Sequence, residues 1–205
     1  MRVGIIGYGN VGRGLHQLLE ASGHQVLIGA RDSSDGPDLP ARRAMVDAVS
    51  ESDVVILAIP FTAVGDLASE IERAARGKIV VDATNPLGPD WSPLELKGGL
   101  SAGEEIQRRW TGSRVVKAFN TVFADNFTRP RLRVGDQAVT TFVAGDDADA
   151  RATVIELADE MGFAGVDVGS IRQARYLEAL AHLNIQLAVG MQRGTNSGFV
   201  YFHRD

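Results

Sequence analysis

The chain has 205 residues, 44% of them hydrophobic and 23% charged, with a formal net charge of −5 and no cysteine. That length buries a real core within one domain, and the acidic balance argues against a nucleic-acid partner held through its phosphates. Without cysteine there are no disulfides, thiol nucleophiles or thiolate-held metals, which fits a cytoplasmic setting.

A short apolar strand over 2–6 comes first, and its start at residue 2 leaves no expected room for a signal peptide. Gly7, Gly9 and Gly12 follow in the spacing G-x-G-x-x-G, and Val11, Leu15, Leu18 and Leu19 continue at helical spacing over 11–22. Strand, glycine turn and helix stand in the order a dinucleotide site needs. Gly7 permits the tight turn, Gly9 lets a pyrophosphate approach the backbone, and Gly12 lets helix and strand pack closely. The free N–H groups at the helix start, at Asn10 and Val11, can then hold phosphate. A purely structural glycine turn is the alternative.

The second strand, 25–29, runs into Ala30, Arg31, Asp32, Ser33 and Ser34. About twenty residues beyond the glycines an NAD site places an acid against the ribose 2′-hydroxyl. Here Arg31 stands at that place. A guanidinium pairs with a 2′-phosphate and stacks on adenine, and Ser33 and Ser34 add hydroxyl donors. The reading is NADP, with Asp32 as the opposing sign. A polar loop over 32–40 and a helix over 40–50 are expected next. The run Val54 to Phe61 is too short to span a bilayer and reads as a buried strand over 54–58. It ends in Ala58, Ile59 and Pro60, small or apolar groups against which a ribose and nicotinamide can lie. A helix over 64–75 follows.

A strand over 79–82 ends in Ala83, Thr84, Asn85 and Pro86. A helix over 104–110 precedes a strand over 115–118, which ends in Ala118, Phe119 and Asn120. Asn85 and Asn120 present donors and acceptors to a carboxamide or flat heterocycle, although Asn also serves turns for local reasons. Arg129, Arg131 and Arg133 form a basic cluster that either attracts an anionic tail or solvates a loop. A strand over 140–144, a helix over 148–161 and a strand over 165–168 complete the alternation. The fold class is therefore α/β: a Rossmann-type, doubly wound, mainly parallel sheet. Residues 1–168 form the dinucleotide-binding domain and 169–205 a short helical extension packed on it. Residues 170–192 read as one long helix with an apolar face of Ile171, Leu177, Leu180, Leu183 and Leu187. Both this face and the tail aromatics Phe199, Tyr201 and Phe202 are expected in the core, with a dimer contact or ligand lid as the alternative.

Taken together, GYGNVGRGL, IGARDSS, VVILAIPF, VVDATNPLG, VVKAFNTV and ARYLEALAHLNIQLA resemble the NADP oxidoreductases dependent on the deazaflavin coenzyme F420. The same domain forms the cytoplasmic part of eukaryotic metalloreductases. The resemblance runs from Met1 to about Gly190, and VVDATNP followed by KAFNT is its more specific part. It implies that the sheet end binds NADPH and that a deazaflavin stacks on the nicotinamide. The implied cofactor contacts fall on Gly9, Asn10, Val11 and Gly12, on Arg31, on Ala58, Ile59 and Pro60, on Asn85, and on Ala118, Phe119 and Asn120; Gly7, Ala30, Asp32, Ser33 and Pro86 beside them complete the expected cofactor-binding set.

No lysine follows Lys117, and the histidines, His16, His24, His182 and His203, do not cluster in sequence. Only His182 is a candidate acid near a pocket, and no residue pattern suggests a metal. A flavin-like ring tolerates that lack, because its nitrogen takes a proton from water while the protein positions the rings. The expected function is hydride transfer between NADP(H) and a deazaflavin or flavin-type acceptor, by a cytoplasmic homodimer with no membrane or nucleic-acid partner. A quinone, carbonyl or imine reductase, or an NADP(H)-sensing module, remains the alternative.

Overall fold

The computed structural model describes residues 1–30 and 41–204. Eight strands form one sheet in the order β10-β9-β6-β5-β4-β1-β2-β3. The central strands β1 (Arg2–Ile6), β4 (Val54–Leu57), β5 (Ile79–Asp82) and β6 (Arg114–Lys117) run parallel, as does β2 (Gln25–Ala30). Their near-continuous Val, Ile and Leu runs suit strands covered on both faces. One face packs Leu15, Leu18 and Leu19 of α1 (Asn10–Ala21) and Val154 and Leu157 of α6 (Ala148–Met161) into the core. The other packs Val49 of α2 (Met45–Ser50), Ile71 of α4 (Ser69–Ala74) and Ile106 of α5 (Ala102–Arg109).

Helix boundaries follow local chemistry. Ser101 accepts from the Glu104 N–H, and the Glu104 carboxylate accepts from the Ser101 N–H, so α5 begins at a capping box. Asp147 caps α6 at its start, and Gly162 ends it at φ 102, a left-handed conformation that suits glycine.

The structure differs from the sequence expectations in five places. The expected helix over 40–50 is split: β3 (Arg42–Ala44) pairs with β2, and only then does α2 begin. The expected helix over 64–75 is two pieces, α3 (Phe61–Val64) and α4. Strand β9 (Thr140–Gly145) runs antiparallel to β6, while β10 (Ala164–Asp167) is parallel to β9. A two-stranded hairpin, β7 (Arg133–Val134) with β8 (Gln137–Ala138), precedes it. The expected long helix is a 3-10 turn over Ile171–Gln173, then α7 (Ala174–Ile185), then a π-helical turn over Gln186–Gly190.

The fifth difference is the tail, which is not core. Tyr201 and Phe202 are 54% and 62% exposed. Backbone pairing and polar side chains hold the segment on the surface instead. Thr140 N–H donates to the Phe199 carbonyl at 2.8 Å, and Asn126 Nδ2 donates to the carbonyls of Thr195 and Ser197. No helix among the described residues is long and apolar enough to cross a membrane.

Candidate active site

Strand order reverses between β1 and β4, so their carboxyl ends open a crevice, the usual ligand position in such sheets. A cleft of about 650 Å³ lies there, large enough for a cofactor-sized ligand. Gly9, Asn10, Val11, Ala58, Ile59 and Pro60 line one part of it, and Asn85, Phe119 and Asn120 another.

The three motif glycines have distinct surroundings. Gly7 turns at φ 99, and a Cβ there would come within 2.5 Å of the Ala58 carbonyl. A Cβ on Gly12 would meet the Gly7 carbonyl oxygen. A Cβ on Gly9 would meet nothing within 4 Å. Gly9 is the N-cap of α1, has no side-chain cap, and is followed by a first turn without acidic residues. The space beside Gly9 is therefore open, at a partially positive helix end.

Two asparagines meet in the middle of the cleft. Asn85 Nδ2 donates to the Asn120 carbonyl at 2.8 Å, and Asn120 Nδ2 donates to Asn85 Oδ1 at 3.0 Å and to the Leu177 carbonyl at 3.1 Å. Phe119 makes this possible by adopting φ 64, uncommon for a bulky residue and costing on the order of 1–3 kcal/mol. Its N–H donates to Thr141 Oγ1, and its ring packs 5.5 Å from Phe163. Three buried polar atoms of cleft-lining residues, Thr84 Oγ1, Asn120 Oδ1 and Thr121 Oγ1, have no protein partner. Buried orphans of this kind are costly unless a ligand or water meets them.

Beneath the asparagines lies an ion triad that sequence reasoning missed. Lys117, fully buried, donates to Asp82 Oδ2 at 2.8 Å and to the Thr84 carbonyl at 2.7 Å, and lies 2.9 Å from Glu178 Oε1. Glu178 also accepts from the N–H groups of Ala102 and Gly103, the first residues of α5. Burial pushes the Lys117 pKa down, but Asp82 and Glu178 outweigh it and raise the pKa above the ordinary lysine value. The only sequence sign was an Asp and a Lys ending adjacent strands; Glu178 enters from a helix distant in sequence.

The remaining expected residues fall around this frame. Pro86 follows Asn85, and its carbonyl accepts from the Leu94 N–H. Ala118 is fully buried under the cleft floor, outside its lining. Ala30 ends β2, while Arg31, Asp32 and Ser33 lie outside the described residues. His182 does not line the cleft; burial, aided by Lys117, lowers its pKa against the pull of Glu178 and the Pro86 backbone. Asp125 is the one ionisable side chain in the cleft lining among the described residues, and its Oδ2 accepts from Thr195 Oγ1. Arg131 and Arg133 border a separate groove of about 280 Å³, whereas Arg129 donates to Ser22 Oγ and the Glu160 carbonyl.

Sequence reasoning also missed the hairpin after β5. Leu87, Gly88, Pro89 and Trp91 from it line the cleft, as do Ala181, Asn184, Ile185 and Val189 from α7 and the turn after it.

This geometry has relatives. A candidate F420-dependent NADP-reductase from Arthrobacter sp. FB24, known by crystal structure, is 31% identical, with a TM-score of 0.86 over 99% of this chain and 100% of that one. The F420-dependent NADP reductase of Methanothermobacter marburgensis is 29% identical across 92% of this chain and 93% of its own length. The rat metalloreductase STEAP3 is 33% identical over 87% of this chain, which spans only 36% of that protein. Residues 2–86, which hold the glycine turn, the β4 end and Asn85, match the family model described as NADP oxidoreductase, coenzyme F420-dependent. The chain thus belongs to the coenzyme F420-dependent family of NADP oxidoreductases.

Proposed function

We propose that this protein transfers hydride between NADP(H) and a deazaflavin of the F420 type or a related flavin-type ring. The observation that carries the reading is the cleft at the sheet's switch point, in which Asp125 is the one ionisable lining side chain among the described residues and the Thr84, Asn120 and Thr121 side-chain oxygens have no protein partner. When bound, the nicotinamide supplies the hydride from its C4. The residues of the chain position it. The α1 N-terminus beside Gly9 takes the pyrophosphate, Ala58 to Pro60 bear the ribose, and the paired Asn85 and Asn120 leave Asn120 Oδ1 to accept from a carboxamide N–H. Arg31, with Ser33, takes the 2′-phosphate.

The chain would hold the two rings for direct hydride transfer and leave the acceptor nitrogen to take its proton from water, so charge and mass would balance without a side-chain acid. Holding the rings at about 3–3.5 Å is then the main catalytic contribution. The exposed apolar face of α7, with Tyr176 and Leu183, supports a homodimer, and the wider reading is a cytoplasmic enzyme.

The test is anaerobic mixing of NADPH with F420, FMN, a quinone and a cyclic imine, following both partners' spectra. Oxidation of NADPH with F420 or FMN supports the assignment; turnover with the quinone or imine alone overturns it. In the same assay Arg31→Ala should weaken NADPH binding by about 1.5–3 kcal/mol and NADH binding much less. Equal losses in titration calorimetry would remove Arg31 from the 2′-phosphate.

A further inference from the structure

The hairpin between β5 and α5 carries more structure than a connection needs. Leu87 and Pro93 form an antiparallel bridge. Leu94 N–H donates to the Pro86 carbonyl at 2.9 Å, Gly88 N–H to the Ser92 carbonyl at 2.8 Å, and Trp91 N–H to the Gly88 carbonyl at 3.0 Å. At the tip, Asp90 Oδ1 accepts from Ser92 Oγ at 2.6 Å and from its N–H at 3.2 Å. The tip is therefore fixed, and what it fixes is Trp91.

Trp91 occupies an unfavourable position in two respects. Its backbone sits at φ 66, the left-handed region that bulky residues avoid. Its side chain is 55% exposed, whereas the other tryptophan, Trp110, is 2% exposed in the core. An indole in water forgoes the large burial energy of an aromatic side chain. Strain and exposure coincide at a residue that lines the cleft together with Leu87, Phe61, Ile185 and Val189.

Its place in the sheet says which ring it meets. On the proposed reading a dinucleotide would enter over β1 and β4 with its adenosine half toward β2. The Trp91 hairpin follows β5, on the opposite side of β4 from β2. The hairpin therefore stands at the nicotinamide end of the crevice, where the acceptor ring must also lie.

We infer that Trp91 is the stacking platform for the ring of the hydride acceptor, and that it selects flat, extended heteroaromatic acceptors over small carbonyl or imine substrates. The inference rests on the proposed NADPH–acceptor reading of the cleft. An electron-rich indole face stacks on an electron-poor oxidised ring, and the contact removes exposed surface from both.

The test compares Trp91→Ala, Trp91→Leu and Trp91→Phe with the unaltered chain. Steady-state turnover of FMN and of F420 is measured anaerobically, NADPH affinity by titration calorimetry, and stability by thermal unfolding. The expected result is a rise of at least about tenfold in acceptor KM for Trp91→Ala and Trp91→Leu and a smaller rise for Trp91→Phe. NADPH Kd should stay within about twofold, and the melting point should not fall, since the side chain is half solvated. An unchanged acceptor KM in Trp91→Leu, or an equal loss of NADPH affinity, overturns the inference.

If the unaltered chain passes hydride to neither F420 nor FMN, the hydride-transfer reading has failed, and the platform is judged by binding alone. FMN titrated into the NADP-saturated protein should then bind the unaltered chain and not Trp91→Ala. Equal binding to both overturns the platform.

Discussion

At the residue scale, the glycine turn separates binding from folding. Gly9 faces open space, so a larger side chain there meets no protein atom but occupies the path of a pyrophosphate. Gly12 lies against the Gly7 carbonyl, so any Cβ there displaces the α1 helix from β1. The expected outcome is that Gly9→Val keeps its melting point to within a few degrees yet loses NADPH binding more than about tenfold. Gly12→Val should lose both stability and binding, because overpacking at such a contact costs about 1–3 kcal/mol. Calorimetry for binding and thermal unfolding for stability check the pair; a Gly9→Val protein with normal NADPH affinity would place the pyrophosphate elsewhere. The spacing of these glycines was readable without a structure because each role is local to one strand–turn–helix unit. The Asn85–Asn120 pair was readable only as two strand-end polar residues. Their mutual hydrogen bonds depend on β5 and β6 being neighbours and on the left-handed Phe119.

At the element scale, Lys117 ties four pieces of structure together: β6 that bears it, β5 through Asp82, α7 through Glu178, and the α5 N-terminus that Glu178 caps. Because α7 supplies Ala181, Asn184 and Ile185 to the cleft, the triad holds that wall against the strand ends. Lys117→Met leaves two buried carboxylates without a cation and should destabilise the fold by about 3–5 kcal/mol in urea unfolding. Adding Asp82→Asn and Glu178→Gln to it should recover much of that loss. A single variant within about 1 kcal/mol of the unaltered chain would show the triad to be energetically idle. Counting lysines by position missed this, since a lysine's role depends on which acids the fold brings to it. The segment over 40–50 was misread for a related reason. Arg42 to Ala44 have no strand-like apolar run, and they become β3 only because the β2 edge is free to pair.

At the scale of the whole molecule, α7 and the tail leave apolar surface exposed. Tyr176 is 66% exposed, Leu183 50% and Met191 53%, and Leu180 and Leu187 between them are half-buried. An apolar stripe of that length on a chain of net charge −5 suits an isologous contact between two copies. Light scattering at micromolar concentration should give twice the chain mass, and Leu183→Glu should return the single-chain mass without loss of NADPH binding. A monomeric mass for the unaltered chain would rule the contact out. Helical periodicity marked these leucines as one face, but periodicity cannot say whether a face is covered by the chain's own core or by another copy.

By itself the sequence determined the parallel α/β class, the glycine turn and the strand ends that border the cleft. These are written in short-range patterns: apolar runs of strand length, glycines at set spacing, and polar residues where strands stop. The tertiary structure alone decided the reversal of β9, the three-part course of α7 and its flanking turns, and the surface path of the tail. It also decided the Asp82–Lys117–Glu178 triad and the strained Trp91 at the cleft mouth. The reversed strand, the triad and the tail rest on partners distant in sequence, such as Glu178 for Lys117 or Thr140 for Phe199, and only folding sets such a partner's distance and burial.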